Sequence, residues 1–281
     1  METPRTLWRR DSTDPVLRYT VQKPEGTPAG AVLLVHGYAD HMKRFDRVAQ
    51  AWLAKGLSVA RFDLRGHGTS EGRRGHVESF REYLRDVDEM LRELERDDGW
   101  KASGPPVLFG HSLGGLIALH AAVEFEPWVR GLAMTSPFFG LSLAVPLWKR
   151  KLGSLTSSLV PTLSLPSGLS GADVTRDERA SRDYDADPLV FPNATARWFA
   201  ETSRVQAESF EVARRVRVPA ACLLAGADRV ASTPTSQRVL AGVKDCRLQV
   251  VDGAYHEILN DPGWERWADW LADEMLRMTK R

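Results

Sequence analysis

Three side chains are placed to do chemistry in this sequence: Ser112, Asp228 and His256. Ser112 is the centre of Gly110-His111-Ser112-Leu113-Gly114, a G-x-S-x-G pattern that follows the apolar run at 106–109 and precedes a helix-like stretch at 115–125. A strand that turns sharply into a helix holds one residue in a strained conformation at the sheet's carboxyl edge, and flanking glycines are needed because side chains there would clash. The helix behind Ser112 also points its first N–H groups at the place where an oxyanion would form. An N-capping serine in a glycine-rich turn has the same five letters, so the residues downstream must decide.

A serine nucleophile needs a base to take its proton and a third group to orient that base. Asp228 follows the apolar run in CLLAGADRV, and His256 lies in the loop after the next such run, in LQVVDGAYHEIL. The order Ser, Asp, His fits a parallel sheet whose strand ends carry the site. Two other acids are nearer to His256 in the chain. Asp252 is tied to the end of its own strand, and Asp261, before Pro262, reads as a helix N-cap. The position after GLAMTSP holds Phe138 and Phe139 rather than an acid. The loop HGYADH (36–41) follows the strand AVLLV, where Gly37 permits a turn and the N–H of Tyr38 would join that of Leu113 as an oxyanion donor. An ordinary strand-to-helix loop is the alternative there.

His36, His41, His67, His76 and His111 fall in loops converging on the same edge, without the i, i+4 spacing or carboxylate pairing of a zinc site, so no metal is expected. His120, inside the helix after Ser112, reads as a structural residue. The loop RGHGTSEG (65–72) lacks the G-x-G-x-x-G spacing, and no cofactor is expected.

Positioning these residues requires strands that alternate with helices. Apolar runs at 31–37, 57–63, 105–111, 131–137, 219–226 and 246–253 read as buried strands. Phe80, Tyr83, Leu84, Val87, Met90, Leu91 and Leu94 recur at helical spacing, with Ser79 and Glu82 as a capping box. Pro262 marks the start of a last helix whose face holds Trp264, Trp267, Leu271 and Met275. The fold class is therefore α/β, a mostly parallel sheet covered on both sides. Residues 138–216 interrupt the rhythm, with no clear strand and helical patterns at 141–165 and 194–216. An interval of that length reads as a helical cap, dividing the chain into a core (1–137 and 217–281) and an insertion (138–216). Leu141, Leu143, Val145, Leu147, Trp148, Leu152, Leu155, Leu159 and Val160, beside basic Lys149–Lys151, would line an acyl tunnel, touch a lipid surface or pack the cap on the core. Phe138, Leu147, Trp148, Leu152 and Leu155 are the candidate substrate contacts.

Composition narrows the partners. The 281 residues are 43% hydrophobic and 27% charged, enough for one large domain with an insertion. Lys and Arg total 38 against 37 Asp and Glu, without a like-charge run, so nucleic acid is not an expected partner. The first residues, METPRTLWRRDSTDP, lack the apolar region of an export signal, and no stretch approaches the roughly 20 apolar residues of a membrane span. A cytoplasmic enzyme is expected, with Cys222 and Cys246 as inert thiols.

The blocks VHGYADH, FDLRGHGTSEGRRGHVESFREYLRDVD, GHSLGG, TSP, AGADRV and YHEILND, in that order, resemble the monoacylglycerol lipase and lysophospholipase branch of the α/β-hydrolase superfamily over roughly residues 30 to 275. The resemblance implies a Ser112, Asp228, His256 triad, an oxyanion hole from Tyr38 and Leu113, and a cap inserted after the strand ending near Ser136. It departs from the family's H-G-x-G-E-H loop at Ala39 and Asp40. The expected activity is carboxyl-ester hydrolysis through an acyl-enzyme on a small ester or lipid. Short-chain esterase, thioesterase or acyltransferase chemistry uses the same triad, and a ligand-binding receptor on a hydrolase scaffold is the reading from another class.

Overall fold

Side-chain alternation along the strands divides the core into two layers. In β3 (Gly30–Val35), Ala31, Leu33 and Val35 join one hydrophobic cluster while Val32 and Leu34 join another on the opposite face. β5 (Val107–His111), β6 (Gly131–Thr135) and β9 (Ala220–Ala225) are likewise buried on both faces, which is why they read as continuous apolar runs. The structure is a computed structural model and describes residues 3–7, 14–142, 157, 159–166 and 168–280.

The sheet also contains β1 (Arg5–Leu7), β2 (Leu17–Gln22), β4 (Leu57–Phe62) and β10 (Cys246–Val251), in the order β1-β2-β4-β3-β5-β6-β9-β10. β2 runs antiparallel to both its neighbours, and the pairs from β4 to β10 are all parallel. The six parallel strands are those expected from the apolar runs. β1 and β2 were not expected, because Leu17–Gln22 mixes polar with apolar residues, and β2 is placed by pairing with β1 and β4 while Leu17, Tyr19 and Val21 pack into the core.

Helix α1 (Asp46–Ala54) and the C-terminal helix Trp264–Thr279 cover one face, tied by a 3.0 Å hydrogen bond from Trp52 Nε1 to the Ala268 carbonyl. α2 (Arg81–Arg96) and α4 (Leu113–Glu124) cover the other, and the short α3 (Asp98–Lys101) follows α2. Two expected helix starts differ. The Ser79–Glu82 box does not form, because Phe80 is already helical and Glu82 reaches one residue further back, to the Glu78 N–H. The last helix begins at Trp264 after Gly263, which has φ 79°; Asp261 is not its cap, being committed to Arg176 and Thr175.

Between β6 and β9 the described residues form no strand of the main sheet. The long helix Ala196–Ala213 fits the pattern at 194–216, whereas helix Glu178–Ala186 lies where none was expected, and β7 (Ser164–Pro166) and β8 (Asn193–Thr195) form an antiparallel pair where no strand was expected. These strands have three residues each and no apolar alternation. Tertiary bonds hold them, including Thr195 N–H to the Gly75 carbonyl. Val205, Ala213 and Val216 join the main core, so the last helix of the insertion is also part of the body. Both thiols are free, and burial pushes Cys246 up to about 11 and Cys222 well above its ordinary value, as inert thiols require.

Candidate active site

The sharp turn expected at Ser112 is present. Ser112 has φ 52° and ψ −116°, a strained pair for a residue with a Cβ, and stands as the N-cap of α4. Its N–H is bonded to the Thr135 carbonyl of β6 at 3.0 Å. The flanking glycines are sterically required: a Cβ on Gly110 would lie 2.2 Å from the Gly114 carbonyl oxygen, and one on Gly114 would lie 2.1 Å from that of Val35.

The chain brings Asp228, His256 and Ser112 into one line. Ser112 Oγ lies 2.8 Å from His256 Nε2, and His256 Nδ1 lies 2.9 and 3.0 Å from the two Asp228 carboxylate oxygens. An ionised Asp228 places the imidazole proton on Nδ1, leaving Nε2 as the acceptor facing Ser112. Burial alone would raise the Asp228 pKa, but His256 and the N–H groups of Val230 and Ala231 hold it below its ordinary value. Burial alone would lower His256, and the Asp228 carboxylate overrides it and raises the imidazole. Asp252 is exposed and Asp261 is bonded to Arg176 and the Tyr255 N–H, so neither rival acid takes the position of Asp228.

Gly37 packs the HGYADH loop directly on the turn, where a Cβ would meet the Ser112 Cβ at 3.3 Å. Among the described residues, the backbone N–H groups of Tyr38 and Leu113 have no protein acceptor. Phe138 touches Ser112 through its backbone, donating to the Ser112 carbonyl at 2.9 Å and accepting from Gln206 Nε2, while its ring belongs to the core cluster. Leu147, Trp148, Leu152 and Leu155 lie outside the described residues.

Several supporting groups have no signal of their own in the sequence. Ser136, at φ 42° just after β6, donates from Oγ to the His256 carbonyl at 2.7 Å and so fixes the His256 backbone. Asp40, His111 and Glu257 offer ligand atoms within 4.8 Å of one another, but the cation there is a side chain. Arg44 donates to both Glu257 oxygens at 2.8 and 2.6 Å and to Asp40 at 3.3 Å. Burial opposes ionisation of Glu257, yet Arg44 holds its pKa down to about 2. Arg44→Ala would leave that carboxylate buried and unpaired, and is expected to cost about 3–5 kcal/mol in urea unfolding. Because the folded pKa is depressed, the stability from Glu257 is present above its unfolded value of about 4.3 and lost as pH falls from there towards about 2. His120 bonds Ser209 Oγ at 3.3 Å, and burial lowers its pKa to about 4, consistent with a structural role.

A serine hydrogen-bonded in line with His and Asp at the carboxyl ends of a parallel sheet is the arrangement of a serine hydrolase on the α/β-hydrolase fold. Comparison with known proteins agrees. A family model described as serine aminopeptidase, S33 matches residues 26–263. The human monoglyceride lipase is 30% identical over 246 residues, covering 83% of this chain and 77% of that protein. A phospholipase of Bacillus subtilis is 28% identical over 244 residues, covering 84% and 90%. The crystal structure of the Paleococcus ferrophilus monoacylglycerol lipase superposes with a TM-score of 0.82 at 30% identity, covering 92% of this chain and 99% of that one. The chain belongs to this family and is a serine ester hydrolase of the monoacylglycerol lipase type.

Proposed function

We propose that Ser112, His256 and Asp228 hydrolyse carboxyl esters of glycerol-type lipids through an acyl-enzyme, with Tyr38 and Leu113 as the oxyanion hole. The 2.8 Å contact between Ser112 Oγ and a His256 already oriented by Asp228 carries this reading. His256 takes the Ser112 proton as Oγ attacks the ester carbonyl carbon. The carbonyl oxygen becomes an oxyanion opposite the two idle N–H groups. When the intermediate collapses, the C–O bond to the alcohol breaks and His256 gives that oxygen its proton. Water then enters and attacks the acyl carbon as His256 takes its proton; the acyl C–Oγ bond breaks, His256 returns that proton to Ser112 Oγ, and the acyl group leaves as a carboxylic acid.

The raised His256 pKa sets the pH dependence. The base works only when neutral, so kcat/KM for p-nitrophenyl butyrate is expected to rise with pH through a midpoint above the ordinary value of 6.5. Weakening the Asp228 charge removes the interaction that raises the imidazole, so the midpoint in Asp228→Asn is expected at lower pH. A wild-type midpoint below 6 would contradict this electrostatic reading.

The similarity to monoglyceride lipases and a phospholipase supports a lipid ester as substrate. Residues 138–216 are read as the cap, sharing its last helix with the core. Its described surface exposes Leu159, Val160, Leu163 and Leu165 within seven residues, a patch suited to acyl chains or a lipid surface. No helix among the described residues is long and apolar enough to cross a membrane. The test is a rate series on p-nitrophenyl esters from acetyl to palmitoyl, 1-monoacylglycerols and lysophosphatidylcholine. A peak on medium or long monoacylglycerols supports the reading. Preference for lysophosphatidylcholine moves it to lysophospholipase, and turnover confined to short chains removes lipid specificity.

A further inference from the structure

The loop bearing the Tyr38 N–H is held from outside as well as by its own strand. Tyr38, His41 and Arg44, spaced every three residues, each meet the segment 184–198 of the insertion. His41 Nε2 lies 2.9 Å from Asp187 Oδ2, with the imidazole almost fully buried. The Tyr38 hydroxyl donates to the Asn193 carbonyl, and its ring centroid is 4.2 Å from Trp198 and 5.4 Å from Phe191. The Arg44 guanidinium lies 4.7 Å over the Tyr184 ring.

The loop needs such support. Ala39, next to Tyr38, has φ 58°, a left-handed conformation that costs a residue with a Cβ about 1 kcal/mol and persists where its surroundings enforce it. The backbone of His41 is already committed: its N–H donates to Asp40 Oδ1 at 2.7 Å and its carbonyl accepts from the Arg44 N–H. The imidazole is therefore the part of His41 available to the insertion. Asp187 is fixed in turn, because its other oxygen accepts from the Leu189 N–H at 2.8 Å, just after helix Glu178–Ala186.

We propose that His41 and Asp187 are positioning residues of the oxyanion hole: their hydrogen bond clamps the Tyr38 loop to the insertion, and the Tyr38 N–H is in register only while residues 184–198 are docked. The inference rests on the reading of Tyr38 as an oxyanion donor. It makes the insertion part of the catalytic apparatus as well as a cover for substrate. A donor is most effective where it meets the transition-state oxygen without reorganising, and a misplacement near 1 Å costs about a hundredfold in rate.

The test uses the full chain and p-nitrophenyl butyrate, a short ester with little acyl chain for the insertion to hold. Asp187→Ala is expected to lower kcat about tenfold or more with KM within about twofold. Inhibition by an alkyl trifluoromethyl ketone, whose adduct puts an oxyanion in the hole, should weaken by a similar factor. Asp187→Asn keeps an acceptor in place and should recover most of both. His41→Phe keeps the ring bulk without its N–H, and should repeat the loss if Asp187→Ala is too unstable to assay. Unchanged kcat and ketone inhibition overturn the proposal, and so does a rise in KM alone, which would assign the pair to substrate admission. Ser112→Ala is run alongside: equal turnover in wild type and Ser112→Ala defeats the serine reading, whereas an inactive Ser112→Ala beside a fully active Asp187→Ala defeats only the clamp.

Discussion

Ser112→Ala is expected to lose about 10⁴-fold or more in kcat on every ester the wild type hydrolyses, with a melting temperature close to wild type. Alanine adopts the φ of 52° and ψ of −116° as readily as serine does, and the hydroxyl's hydrogen bond to His256 Nε2 is the main contact removed. The residual rate would come from the oxyanion donors and binding alone. Asp228→Asn is expected to lose a comparable factor by a different route. The Val230 and Ala231 N–H groups hold Oδ1, so an asparagine keeps its carbonyl oxygen there and turns its amide donor towards His256 Nδ1. The imidazole proton then sits on Nε2, and Ser112 loses its acceptor. Steady-state rates with melting curves check both; more than about 1% of wild-type turnover in Ser112→Ala would exclude Ser112 as the nucleophile.

Gly110→Ala is expected to cost more than about 4 kcal/mol, a fall of roughly 8–16 °C in melting temperature for a domain of this size, and to take activity with it. The added Cβ would stand 2.2 Å from the Gly114 carbonyl oxygen and 2.4 Å from its carbon. These are backbone atoms in the first turn of α4, so relief requires moving that helix away from β5. Gly26→Ala is the control: Gly26 has φ 82° but open space around it, so only backbone strain of about 1–2 kcal/mol is expected. Gly110 has no left-handed φ, so losses no larger than those of Gly26→Ala would show that the close approach at the elbow is relieved by small shifts.

Much of the site was legible because its parts are local. A G-x-S-x-G turn between an apolar run and a helix reports its own geometry, as the clashes at Gly110 and Gly114 bear out. Asp228 and His256 each follow a strand, and parallel strands deliver their carboxyl ends to one edge whatever lies between them. Burial on both faces leaves a largely apolar run in β3, β4, β5, β6 and β9, while the edge strand β10 is only partly buried.

The sequence by itself thus determined the parallel body, the serine turn and the chain order of the candidate triad, because each rests on the pattern of neighbouring residues. The tertiary structure alone decided the antiparallel strand β2, the short β7–β8 pair, the Arg44–Glu257 ion pair, the Ser136 hydrogen bond to His256 and the His41–Asp187 clasp. The residues that pair in each of these are separated by between 27 and 213 positions in the chain. Asp261 shows the same limit. Its place before Pro262 suggested a helix cap, and a buried position beside Arg176 gave its carboxylate stronger donors than any helix end could offer.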